Sequence, residues 1–170
     1  GLKYVGEDRN ELSMVFQFEH MHLDIGPEGK FTLPQDWELT ELKEIMSKWQ
    51  YEMKEGKGWN SLFLNNHDVP RMVSRFGDDG KYRRESAEML ATFLHTLQGT
   101  PYIYQGEEIG MTNVPWESIE EIDDIETVNH FAEMKERAGS KEGAMEIVRC
   151  RTRDNARTPM QWNDSKQAGF

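Results

Sequence analysis

At 170 residues the chain is long enough for one domain with a real core, and 36% hydrophobic against 30% charged residues is a soluble, globular balance rather than a disordered one. A formal net charge of -11 argues against nucleic acid, whose phosphates attract Lys and Arg, and favours a neutral or cationic ligand. A single cysteine, Cys150, excludes an internal disulfide and a Cys-based zinc site, and fits a reducing cytoplasm.

In chain order, the apolar and aromatic stretch 14–18 predicts a strand, with Gly26, Pro27 and Gly29 marking the loop after it. Leu42, Ile45, Met46, Trp49 and Met53 recur at helical spacing, and Gly56 and Gly58 supply the stop, so a helix follows with these side chains in the core. A second strand at 61–64 runs straight into Asn65, Asn66, His67 and Asp68. Ala87, Leu90, Ala91, Leu94 and Leu97 predict the next helix, closed by Gly99 with Pro101 beyond it. The third strand, 101–104, is continuous and apolar, as a strand buried on both faces should be. In the tail, Ser118 with Glu121 three residues on reads as a capping box, which predicts helices over 118–134 and 141–149 separated at Gly139 and Ser140.

Strand, helix, strand, helix, strand predicts an α/β fold with parallel strands joined by crossovers. Phe16 to Leu62 is 46 positions and Leu62 to Ile103 is 41, against about 31 per strand-helix unit in a barrel of about 250 residues. The excess falls in the loops after the strands, which form the active face of such a barrel. No apolar run reaches the roughly 20 residues that span a bilayer, so no membrane partner is expected. No signal peptide opens the chain, and the expectation is that the native N-terminus lies upstream.

Polar residues gather just past each predicted strand: Glu19, His20, His22 and Asp24; then Asn65, Asn66, His67 and Asp68; then Gln105, Glu107 and Glu108. On parallel strands these groups converge on one rim, where carboxylates and imidazoles can do acid-base work. The plainer alternative is that strand ends turn polar as they leave a core. His20 and His22 have no third histidine at a familiar spacing, so no metal site is expected. No nucleophile elbow supports a serine triad, and Glu107 and Glu108 between Gly106 and Gly110 would repel a phosphate.

Four blocks carry a family resemblance. FLNNHDVPR (63–71) resembles the strand-seven signature of glycoside hydrolase family 13, the α-amylase superfamily, and GTPYIYQGEEIGMTN (99–113) its strand-eight signature. VFQFEHMHLD (15–24) is similar to the sixth strand of the oligo-1,6-glucosidase branch, and RDNARTPMQW (153–162) to the segment that closes its sugar pocket. The resemblance implies strands six to eight of a (β/α)8 TIM barrel with intervening helices and a loop-rich tail, residues 1–170 being an internal piece of the catalytic domain. It implies retaining cleavage, in which one carboxylate attacks the anomeric carbon and a carboxylic acid protonates the leaving oxygen. Asp68 is then the third carboxylate, stabilising the transition state. His67, Phe18, Glu126 and Arg153 become substrate-binding residues for a small oligosaccharide, with no metal and no cofactor.

The nucleophile belongs to strand four and the acid/base to strand five, so both are expected outside these residues; Glu19 matches neither position. The chain alone is therefore expected to be inactive, and an open barrel edge favours self-association. Short α-1,6-linked glucosides are the expected substrates. Trehalose-6-phosphate hydrolysis and sucrose isomerisation or transglycosylation on the same scaffold are the alternatives. A non-catalytic relative, like the heavy chains of amino-acid transporters, is opposed by the presence of both His67 and Asp68 and by the lack of a membrane span.

Overall fold

The computed structural model describes residues 1–170, the side chain of Leu2 excepted. It divides into two compact units, one of Gly1–Pro27, Pro34–Leu64 and Ala91–Tyr102, the other of Glu28–Leu33, Asn65–Leu90 and Ile103–Phe170. The helices are α1 (Leu2–Val5), α2 (Leu39–Glu55), α3 (Met72–Phe76), α4 (Arg83–Thr96), α5 (Ile125–Ala138), α6 (Lys141–Arg151) and α7 (Asp154–Arg157); the strands are β1 (Val15–Phe16), β2 (Asn60–Leu62) and β3 (Thr100–Pro101).

The first unit holds the sheet. Its order is β1-β2-β3, all parallel, with Phe16 opposite Ser61 and Ser61 opposite Thr100. This is the predicted order and direction, in shorter strands. β1 ends where the Gln17 side chain accepts the Glu19 amide at 2.9 Å and starts a 3-10 turn over Glu19–His22. β3 stops at Pro101, and Tyr102 N still donates to Leu62 O at 2.7 Å.

The expectation of a third strand buried on both faces is corrected: Tyr102 is 43% exposed and Ile103 44%. β3 is an edge strand of this sheet, with Thr100 half-buried and Pro101 exposed. The central strand β2 is buried at all three positions. Edge-on ring contacts tie one face together, Phe16 to Phe63 at 5.3 Å, Phe16 to Tyr102 at 4.7 Å and Phe18 to Phe63 at 5.1 Å.

α2 forms where the apolar spacing predicts. Glu38 and Glu41 exchange side-chain to backbone bonds at its start, and Gly56 N closes it on Glu52 O. Its Met46 and Trp49 border a cavity of only about 10 Å³ with Leu62, Leu64, Phe93 and Leu94, so this interior is close-packed. Met21, Met46 and Met53 are all buried in this unit.

The second unit is built on α5 and α6. Ile122, Met134, Ala144, Met145, Ile147 and Val148 form its core, with Phe31, Trp116, Ile119 and Phe131 packed against it. Gly139 turns the chain between the helices at φ 72°, and Ser140 caps α6 by accepting Gly143 N at 3.0 Å. Met72 and Met111 are also buried in this unit.

The predicted helix over 118–134 is corrected. Ile119–Glu121 makes one 3-10 turn, Ile122 is extended, and α5 begins only at Ile125. The Ser118 side chain makes no capping bond, and the Glu121 carboxylate accepts Glu117 N at 3.0 Å instead. Asp124 takes the cap, accepting from Glu126 N at 3.2 Å and from Thr127 Oγ1 at 2.7 Å.

The strap Glu28–Leu33 also belongs to this unit. Arg137 donates to Glu28 O at 3.2 Å, Arg151 to Thr32 O at 2.9 Å, and Phe31 stacks on His130 with centroids 4.1 Å apart.

Candidate functional site

The loop that follows β2 is closed on itself before it presents anything. Asn65, fully buried, accepts Met72 N at 2.7 Å and donates to the Glu107 carboxylate at 3.2 Å. Asn66 then accepts Asp68 N at 2.8 Å, a side-chain turn that lifts His67 and Asp68 out of the frame. Their side chains are 72% and 49% exposed, with His67 Nε2 3.2 Å from Asp68 Oδ2.

Arg71 is the base of this loop. It is 1% exposed, its charge shut away from water. It donates to the carbonyls of Asn155 (3.0 Å), Gln105 (2.8 Å), Ala156 (3.2 Å) and Thr158 (3.5 Å), and lies 5.4 Å over the Tyr104 ring. Burial pushes its pKa down, opposed by the charges of Tyr104, Glu107 and Glu108. Gly106 (φ 96°) passes so close that an added Cβ would overlap Met111 Sδ and crowd the Arg71 guanidinium.

Two further elements complete the array. The start of α5 supplies Asp124 and Glu126; α7 and its N-terminal neighbour supply Arg153, Asp154 and Arg157. Asp154 accepts the amides of Asp123 (2.7 Å) and Asp124 (2.9 Å). Arg153 donates to Asp124 Oδ1 through Nε at 2.9 Å and through Nη2. Its remaining nitrogen, Nη1, stands 3.6 Å from Asp68 Oδ1, and Nε stands 3.6 Å from Glu126 Oε2. Lys30 reaches Glu126 Oε2 at 2.6 Å, and Arg157 reaches Asp68 Oδ1 at 3.1 Å.

Of the residues singled out from sequence, His67, Asp68, Glu126 and Arg153 are thus brought together within one unit. Phe18 belongs to the other, 46% exposed with its ring edge on Phe63. Other rim candidates are spent on structure. His20 is buried between Gln17 (2.8 Å) and Phe63 O (2.9 Å), and Glu19 pairs with Lys48 at 2.9 Å. Glu107 braces Asn65 and Tyr104 N, and Glu108 accepts Gly106 N at 2.7 Å. Sequence reasoning passed over Asp124, Lys30 and Arg157. Arg157 carries a signal, since it lies four residues after Arg153, a helical spacing that turns two side chains the same way.

Chemically the array mixes acceptors (Asp68, Asp124, Glu126) with donors (Arg153, Arg157, Lys30). Vicinal hydroxyls need both, each giving one hydrogen bond and taking another. Among the described residues no three His, Cys, Asp or Glu side chains group to hold a metal ion, and no helix is long and apolar enough to cross a membrane. Burial pushes the Cys150 thiol up, the condition of a packed rather than reactive cysteine.

Asp124 has the largest perturbation in the array. Burial alone would push its carboxyl up, but hydrogen bonds from Arg153 and Thr127 and the Arg153 charge outweigh burial and hold it well below the ordinary range. The hydrogen bond to Asp124 raises Arg153 in turn. A depressed carboxyl adds stability above its unfolded value near 3.8, and that stability is lost as pH falls below it. Asp124→Asn is therefore expected to lower the urea midpoint at pH 7 and to flatten its decline between pH 4 and 2. Parallel midpoint-against-pH curves for the two proteins would show that this pair does not couple folding to protonation.

Comparisons with known proteins bear on this array. The model of the alpha-amylase catalytic domain matches residues 2–170. The oligo-1,6-glucosidase of Parageobacillus thermoglucosidasius is 64% identical over 171 residues, covering 100% of this chain and 30% of that protein. Among solved structures, the trehalose-6-phosphate hydrolase of Bacillus licheniformis is 49% identical with a TM-score of 0.93, over 99% of this chain and 30% of that one. The isomaltulose synthase of Klebsiella sp. LX3 is 40% identical with a TM-score of 0.88, over the same shares. The chain thus spans about 30% of the length of the relatives it matches.

Proposed function

Because this chain belongs to the alpha-amylase catalytic-domain family, a TIM-barrel family, we propose that it is part of a retaining α-glucosidase that releases glucose from the non-reducing end of short α-1,6-linked glucosides. In this reading β1, β2 and β3 are barrel strands six, seven and eight, and residues 1–170 are part of the catalytic domain. Asp68 stabilises the positive charge that develops on the sugar ring, and His67, Glu126 and Arg153 hold its hydroxyls. The nucleophile and the acid/base come from residues outside these 170.

The observation that carries the reading is the half-exposed Asp68 carboxylate at the end of β2, flanked by His67, Arg153 and Arg157. A carboxylate so placed can face a cationic transition state while neighbouring donors orient hydroxyls. The preference for α-1,6 linkages draws support from the 64% identity to an oligo-1,6-glucosidase. The likeness to isomaltulose synthase supports a second reading, isomerisation of sucrose by the same carboxylates. Two-carboxylate cleavage requires no cofactor. A cytoplasmic location is part of this proposal, as is association of the isolated chain through the free edges of β1 or β3.

The test is to incubate the full-length parent with isomaltose, sucrose and trehalose 6-phosphate and to follow products by proton NMR. Glucose from isomaltose, appearing first as the α-anomer, is the expected result, with no release by residues 1–170 alone. Isomaltulose from sucrose as the main product would select the second reading. Glucose appearing first as the β-anomer would overturn retention.

A further inference from the structure

We infer that Arg157 is a positioning residue for Asp68, holding that carboxylate in place through the chemical step. The inference rests on the reading of Asp68 as the transition-state carboxylate.

The division of labour follows from how each guanidinium spends its donors. Arg153 directs Nε and Nη2 at Asp124 and has only Nη1 left, 3.6 Å from Asp68, beyond good hydrogen-bond length. Arg157 directs Nη2 at Asp68 Oδ1, 3.1 Å away, and Nε at the carbonyl of His67, also 3.1 Å away. One planar fork therefore grips two consecutive residues of the loop, the side chain of one and the backbone of the other. A lysine, with a single ammonium head, can replace either contact but not both in the same geometry.

The grip is backed by a rigid frame. Arg71, three residues after Asp68, donates to the carbonyls of Asn155, Ala156 and Thr158, which bracket Arg157. Tyr104 adds a hydroxyl bond to Ala156 O at 3.0 Å. The Asp68 loop and α7 are thus joined twice, by Arg71 at the base and by Arg157 at the tip. The tip contact alone touches a group proposed to act on substrate.

A merely structural role makes a different forecast. Arg157 and Asp68 have side chains 38% and 49% exposed, and ion pairs of that exposure add little to stability. Positioning instead forecasts a large loss of turnover with almost no loss of stability, because a small misplacement of a charge-stabilising group is costly only in the transition state.

The experiment uses the full-length parent as wild type, Arg157→Gln, Arg157→Lys, Asp68→Asn and the double variant Asp68→Asn/Arg157→Gln, assayed on p-nitrophenyl α-glucoside. Arg157→Gln is expected to lower kcat/KM about 10- to 100-fold, mostly in kcat, and Arg157→Lys less. In the Asp68→Asn background the same glutamine substitution should change kcat/KM by no more than about twofold, since the carboxylate charge it positions is gone. Thermal midpoints should stay within about 3 °C of wild type. Arg157→Gln and Arg157→Lys both within twofold of wild type, or an equal loss from Arg157→Gln with and without Asp68, would overturn the inference. Unchanged turnover in Asp68→Asn would instead remove the reading of Asp68 itself, so the two failures are told apart.

Discussion

Asp68→Asn in the full-length parent is expected to lower kcat about a thousandfold or more while leaving the fold intact. Asparagine keeps the shape and the hydrogen-bonding reach of the carboxylate, so no cavity opens. What goes is the negative charge proposed to face the developing oxocarbenium ion. The substitution also turns the charged acceptor of Arg157 at 3.1 Å, and the charged neighbour of Arg153 at 3.6 Å, into a neutral amide. Both guanidiniums keep other contacts, Arg153 on Asp124 and Arg157 on His67 O. With the Asp68 side chain 49% exposed, the lost ion pair is worth no more than about 1 kcal/mol. Steady-state kinetics beside a thermal melt decide the matter. A kcat within tenfold of wild type would remove Asp68 from the chemistry, and a collapse of the melt would make it a structural residue.

Arg71→Met is expected to have the largest effect on stability, about 3–5 kcal/mol. Methionine fills similar space and follows a similar path, so the loss is not one of volume. Arg71 is a buried cation solvated by carbonyl dipoles where a carboxylate would be usual, with Asn155, Gln105, Ala156 and Thr158 each accepting from it. Removing the guanidinium strips those carbonyls of a donor in a place water reaches poorly. The loop after β2 then loses its base, although the backbone bond from Arg71 N to Asn113 Oδ1 at 2.9 Å remains. Urea unfolding should show a lower midpoint at unchanged slope. A shift worth under about 1 kcal/mol would mean that the freed carbonyls find other donors.

The order of elements was legible because each rests on a local pattern. Leu42, Met46, Trp49 and Met53 announce α2, and the order and direction of β1, β2 and β3 follow from helices standing between them. What the chain hid was choice among local competitors. Ser118 with Glu121 looks like a helix start, yet Asp124 takes the cap because its carboxylate also meets Arg153, 29 residues further on. No window of sequence contains that partner. The exposure of Tyr102 and Ile103 was hidden for the same reason, since an apolar run does not say what lies beside it. Asp68, His67, Glu126 and Arg153 were reached through motif resemblance, and composition alone would not have chosen them over Glu19 or Glu107. The roles of Lys30 and Arg157 depend on distances that only a folded chain has.

The sulfur in the two interiors has a consequence for measurement. Met21, Met46 and Met53 are buried in one unit, and Met72, Met111, Met134 and Met145 in the other. Peroxide converts an accessible thioether to a polar sulfoxide and spares one that is packed away. Each set therefore acts as a clock that runs only while its own unit is open. Peptide mass spectrometry after timed peroxide exposure would read the two clocks separately, with Met89, 51% exposed, as the internal reference for reagent strength.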